Sequence, residues 1–218
     1  MSRLQINPLR LGVHLAAAGL LAWLLVDYYT GGLGVNPIQA AIQRTGRYAI
    51  SLLVLSLACT PLNNLFGWRQ VLIVRRPLGL YAFLFAALHV SLLVGVDYRF
   101  DWAALSGDLL DKRYILVGLS ALAILTLLAA TSFKWWMKRL GKNWKRLHRL
   151  VYLAGVLAVT HYAWAVKGDV LRLQGDIRLP LAYGLVVALL LVLRLPPLRR
   201  FKFKRVFWDA KRPKTPML

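Results

Sequence analysis

The chain has 218 residues, is 59% hydrophobic with a mean hydropathy of +0.56, and carries a formal charge of +21. Its apolar residues come in blocks near the length that spans a bilayer, which excludes an ordinary soluble domain. The basic residues lie between those blocks, where membrane proteins keep them, so nucleic-acid binding is not indicated. The single cysteine, Cys59, excludes a disulfide framework, a cysteine zinc site, covalently attached haem and cysteine-held iron–sulfur clusters.

In chain order, six spans are predicted: Leu11–Tyr29, Tyr48–Phe66, Pro77–Val96, Tyr114–Phe133, Leu147–Val166 and Leu179–Leu195. Arg3 and Arg10 precede the first, but no small-residue cleavage site follows, so it reads as a retained helix. Gly31-Gly32, Gly34 and Asn36-Pro37 mark a turn-rich first connection. Thr60-Pro61 implies either a kink in the second span, since proline frees a backbone carbonyl, or that helix's end. Pro77 suits the first turn of the third span. Trp135, Trp136 and Trp144, interleaved with Lys and Arg, suggest an interfacial anchor. The tail after Leu195 is basic and aromatic and reads as a strip on anionic lipid, or as a docking segment for a cytosolic partner.

With the N-terminus placed inside, 21 of the 29 Lys and Arg fall on inner segments, and seven of the eight Asp at or beyond outer ends. The positive-inside rule therefore predicts both termini in the cytoplasm. The expected architecture is an all-α integral membrane protein: residues 1–10 as a cytoplasmic N-terminus, 11–195 as a six-transmembrane-helix bundle, and 196–218 as a cytoplasmic tail. No long internal repeat is evident.

The four histidines, His14, His89, His148 and His161, all lie within or at the ends of apolar spans. An imidazole inside lipid is costly unless used, and neutral imidazole ligates metals. At 1.5 Å per residue, His89 stands about 18 Å above Pro77 and His161 about 21 Å above Leu147. The two match in depth, in the outer half of the bilayer, and are the first candidates to hold a haem that only passes electrons. The competing reading is that each merely ties helices together by hydrogen bonds. His14 and His148 fall near the inner face, where they could hold a second haem or serve no such role. His148 lies 13 residues before His161, about 220° around an unbroken helix, so the two do not share a face. Fourteen residues before His89 stands Arg75 rather than a histidine. Arg75 and Arg76 are placed to pair with haem propionates, or to act only as inner-face charge. No nucleophile–base pair, phosphate-cradling loop or dinucleotide motif is present. Electrons would have to come from a quinol, a bound flavin or a separate protein.

The run Trp144 to Leu153, WKRLHRLVYL, followed by His161-Tyr162 and Trp164, resembles the MsrQ (YedZ) family. Asn36-Pro37, Thr45-Gly46, Thr60-Pro61-Leu62, Arg75-Arg76-Pro77-Leu78-Gly79-Leu80, Leu88-His89 and Thr131-Ser132 agree, so the resemblance covers about residues 10 to 195. One departure is that Arg113 and Tyr114 are adjacent, where the family usually has a proline between them. The resemblance implies a ferric-reductase-like domain of the bacterial inner membrane that binds haem b, with His89, His148 and His161 as the haem-region histidines. It further implies electrons taken from the quinone pool, with FMN as a reported cofactor. They pass to a periplasmic molybdopterin methionine sulfoxide reductase that repairs oxidised proteins. The alternative is a stand-alone ferric or oxygen reductase fed by a cytosolic flavin reductase.

Overall fold

The computed structural model describes residues 7–166 and 177–195. The basic tail and the residues numbered 1–6 and 167–176 lie outside the described residues, and with them the readings made of Arg3, Asp169, Asp176 and the tail.

Helix α1 runs Pro8–Tyr29, started by Pro8 and by Asn7, whose side chain accepts the Leu9 N–H. Helix α2, Pro37–Phe66, starts the same way from Asn36 and stops at Gly67, which has φ of 71°. It begins eleven residues before the expected span, because Asn36-Pro37 is a helix start as well as a turn. Helix α3, Val71–Leu92, continues as a π-helical turn over Leu93–Asp97. Pro77 is therefore interior to α3 and not in its first turn, a correction to the predicted boundary. A short helix α4, Trp102–Asp111, capped by Asp101, was not expected; α5 then runs Arg113–Ala130.

The basic segment forms α6, Lys134–Leu140, and α7, Lys142–Leu147, before α8, Leu150–Ala165, and α9, Arg178–Val192. The stretch from Trp144 to Trp164 is thus two helices joined at His148-Arg149, where the backbone stays right-handed helical (φ of -69° and -70°).

Among the described residues, α1, α2, α3 with its π turn, and α5 are long and apolar enough to cross a membrane. Helices α8 and α9 are also largely apolar but have 16 and 15 residues. At 1.5 Å per residue they reach about 24 and 22 Å, less than the ~30 Å hydrocarbon layer. The described residues are helical, with apolar side chains turned outward: Leu15, Trp23 and Leu185 are 63%, 60% and 73% exposed. Lipid is the solvent that makes such a surface favourable, and the chain is a multi-pass membrane protein.

Two helix pairs dominate the packing, α2 with α3 and α5 with α8. Helix α1 lies against α3, and α9 against α8 and α2. Leu53, Leu57, Ala82, Phe85, Leu125 and Ala154 form the centre. Gly155 lets α8 approach α2 closely, since a Cβ there would stand 3.1 Å from Leu57 Cδ1. Asp27 and Arg44 pair across α1 and α2 at the other end.

Helix α2 does not end at Pro61. Proline lacks an N–H, so the carbonyl four residues earlier, that of Leu57, loses its helical donor. The Arg194 guanidinium, just past α9, donates to that carbonyl and to the Tyr152 hydroxyl. It also lies 4.6 Å from the centre of the Tyr152 ring. One side chain thereby replaces the missing helical bond and joins α2, α8 and α9.

Candidate functional site

The structure brings His89 of α3 and His161 of α8 together, with ring centres 6.2 Å apart and planes at 81°. Nδ1 of His89 lies 2.7 Å from the Ile42 carbonyl oxygen, and Nδ1 of His161 lies 2.8 Å from that of Tyr114. A carbonyl only accepts, so each Nδ1 carries the hydrogen and each Nε2 keeps its lone pair. This is the tautomer a metal-ligating histidine needs, with a backbone acceptor fixing the ring. Each histidine does tie two helices together, as the competing reading held, but only through one nitrogen.

Haem is the group that the sequence resemblance implies, and its axial requirement can be compared with this pair. Two imidazoles on one metal, with metal–nitrogen bonds of about 2.0–2.1 Å and ring centres about 1.1 Å beyond, stand about 6.2–6.4 Å apart. The observed 6.2 Å fits. Two histidines holding one haem would suit electron transfer rather than chemistry on a bound substrate.

Glycines make room for both rings. A Cβ on Gly46 would stand 3.2 Å from His89 Nδ1, and one on Gly118 would stand 2.6 Å from His161 Nδ1. The two halves of the site repeat each other. Ile42, Gly46 and His89 correspond to Tyr114, Gly118 and His161, each 72 positions further on. Both histidines lie 47 residues after their carbonyl acceptor. The repeat is of geometry more than of sequence, and the recurring 43-residue interval from glycine to histidine was its only legible trace. At the same offset His148 corresponds to Arg76, which lies 13 residues before His89 as His148 lies before His161.

His148 stacks on Trp144, ring centres 4.0 Å apart, and its Nδ1 lies 3.2 Å from the Trp144 carbonyl oxygen. Trp144 in turn donates from its indole N–H to the Thr131 carbonyl at 2.9 Å. This indole is held inward against the site, whereas Trp135 and Trp136 stay exposed beside Arg139, as an interfacial anchor requires. Among the described residues, His148 Nε2 is buried with no hydrogen-bond partner, as are Thr60 Oγ1 and Asn63 Oδ1 near the end of α2. Arg75 and Arg76 are close enough for their charges to act on the His148 ring. The Arg75 carbonyl accepts from Ser56 Oγ at 2.9 Å, tying α3 to α2 there.

His14 stands elsewhere. Its Nδ1 lies 2.7 Å from the Tyr81 hydroxyl, in a groove between α1 and α3 also lined by Arg10 and Arg76. Among the described residues no hydrogen bond or ring contact joins His14 to His148. Sequence reasoning missed Gly46, Gly118, Tyr152 and Arg194 as supporting residues. The glycines carried a spacing signal, whereas Arg194 looked like one more inner-face charge.

Residues 45–159 match the family described as ferric reductase like transmembrane component. The chain is 41% identical over 189 residues to a protein of Rhodospirillum rubrum named protein-methionine-sulfoxide reductase heme-binding subunit MsrQ, covering 86% of this chain and 88% of that one. It is 41% identical over 180 residues to the protein of that name from Xanthomonas euvesicatoria, covering 81% and 79%. A Xanthomonas campestris relative of the same name is 40% identical over 177 residues, covering 81% and 78%. With the matched segment containing His89, His148 and both glycines of the histidine pair, and the longer alignments covering most of the chain, this protein belongs to the MsrQ family of ferric-reductase-like transmembrane components.

Proposed function

We propose that this chain is a haem b electron-transfer subunit that carries electrons across the bacterial inner membrane to a methionine sulfoxide reductase on the periplasmic side. The observation that carries the reading is the His89–His161 pair, 6.2 Å between centres, with each Nδ1 bonded to a backbone carbonyl. Haem bound there would supply a one-electron relay. His89 and His161 would hold it through their Nε2 atoms, the Ile42 and Tyr114 carbonyls keep the imidazoles in the Nδ1–H tautomer, and Gly46 and Gly118 leave the rings their space. The names of the relatives support both the haem and the reductase partner. That the partner carries molybdopterin rests on the family resemblance alone.

His148, Thr60 and Asn63, with Arg75 and Arg76, form the inner, electron-uptake side of this reading. His148 offers a third imidazole nitrogen for a second haem, and the arginines offer charge for its propionates. The donor is a quinol of the membrane pool, or FMN reduced by a cytosolic flavin reductase. Six crossings, with both termini cytoplasmic, put uptake and delivery on opposite faces, and the excess of Lys and Arg on inner segments supports that orientation. Acidic Asp97, Asp101, Asp108 and Asp111 then face the partner, favouring a basic docking patch on it.

The test is an optical spectrum of purified protein with pyridine hemochrome stoichiometry. Wild type should show b-type bands, His89→Ala and His161→Ala should each remove the outer haem, and His148→Ala should lower the stoichiometry only if a second haem is present. Full haem occupancy in both outer-pair variants would overturn the assignment. Reduction of the protein by quinol, or only by a flavin reductase, separates the two donors.

A further inference from the structure

The groove between α1 and α3 is a cavity of about 310 Å³ lined by Arg10, His14, Arg76, Pro77, Leu80 and Tyr81. Arg10 and Arg76 both line it. Neither has a carboxylate partner among the described residues, whose ion pairs are Arg44 with Asp27 and Lys112 with Asp108. Every aspartate in residues 7–166 lies at the opposite end of the molecule. Two like charges held around one cavity repel unless an anion occupies it. Arg10 also stands in the first turn of α1, whose N-terminal end adds the positive end of a 22-residue helix.

The remaining polar groups are donors too. His14 Nδ1 and the Tyr81 hydroxyl are 2.7 Å apart, their rings edge to face. If Tyr81 donates to Nδ1, the His14 Nε2–H is left over. If Nδ1 donates to Tyr81, the phenolic hydrogen is left over. Either tautomer leaves one neutral donor beside the two guanidinium groups. Pro77 and Leu80 supply an apolar wall, and Arg10, His14 and Arg76 are all exposed at the protein surface.

From this we propose that the α1–α3 groove binds a phosphate ester, with Arg10 and Arg76 gripping the phosphate oxygens and the His14–Tyr81 pair donating to it. Guanidinium forks match phosphate oxygens in geometry and charge. The apolar wall beside the arginines fits the phosphate and acyl chains of an anionic phospholipid. The inference goes beyond the electron-transfer reading and does not depend on it.

The experiment uses the full chain in nanodiscs of phosphatidylcholine doped with phosphatidylglycerol, read by native mass spectrometry after release into detergent. Arg10→Gln, Arg76→Gln and Tyr81→Phe are compared with wild type. Wild type should retain phosphatidylglycerol in excess of its bilayer fraction, and each arginine variant should lose about tenfold in retention. Equal phosphatidylglycerol retention in wild type and both arginine variants overturns the proposal. Arg10→Gln changes an exposed side chain and serves if Arg76→Gln does not fold.

Discussion

At the level of single residues, the histidine pair depends on atoms that are absent as much as on those present. A methyl group on Gly118 would stand 2.6 Å from His161 Nδ1, too close for any real Cβ contact, whereas one on Gly46 would stand 3.2 Å from His89 Nδ1. Gly118→Ala should therefore push His161 off the Tyr114 carbonyl and lower the b-type absorbance of the purified protein severalfold. Gly46→Ala should have the weaker effect, and the ratio of the two Soret amplitudes checks the ordering. Asp108 lies outside the spans. Its salt bridge with Lys112, 2.5 Å long, and then the Tyr98 hydroxyl hold its carboxyl below the ordinary carboxylate range. Burial first, and then Asp108, push the Tyr98 phenol up, so it stays protonated as the donor. The pair's stabilisation is fully present above the unfolded carboxyl value of about 3.9 and is lost as pH falls through the lowered folded value. Asp108→Asn should remove that acid-side loss, measured as the pH dependence of amide exchange across α4. Because the group is exposed, added salt should shrink the difference.

Among the elements, α2 shows how a helix keeps its course through a proline. Thr60-Pro61 allowed either a kink or an end, and the outcome was decided by a residue 133 positions away, Arg194. Its guanidinium supplies the donor that Pro61 lacks. Arg194→Leu should cost roughly 2–4 kcal/mol, from two charge-assisted bonds and a carbonyl left unpaired. Pro61→Ala in that background should recover part of the loss, because alanine has the backbone N–H that the Leu57 carbonyl is missing. Thermal unfolding in detergent of the four variants of this cycle reads the coupling, and additive losses would refute the link. The break at His148-Arg149 between α7 and α8 has the opposite consequence. It shifts the phase of His148 relative to His161 from that of a regular helix, so the 13-residue spacing alone does not give their angle.

For the whole molecule, the repeat at 72 positions places Ile42, Gly46 and His89 opposite Tyr114, Gly118 and His161 as two halves of one site. The lone cysteine, Cys59, is 3% exposed, which makes the chain a near-silent background for labelling. With six crossings, Ser106→Cys in α4 should react with an impermeant thiol reagent from the periplasmic side, and Lys142→Cys in α7 only after the membrane is opened. The reverse pattern would invert the proposed topology. The sequence alone determined that the chain is helical, multi-pass and basic between its spans, because segregation of apolar blocks and charge is local and one-dimensional. Depth is also one-dimensional, counted in residues along each helix, so His89 and His161 were legible as partners. Helix rotation, breaks and the filling of a missing hydrogen bond are not, because they depend on groups distant in the chain. Only the tertiary structure decided that His14 faces Tyr81 in a groove of its own, that His148 stacks on Trp144 with an Nε2 unpartnered among the described residues, and that Arg194 replaces the bond lost at Pro61.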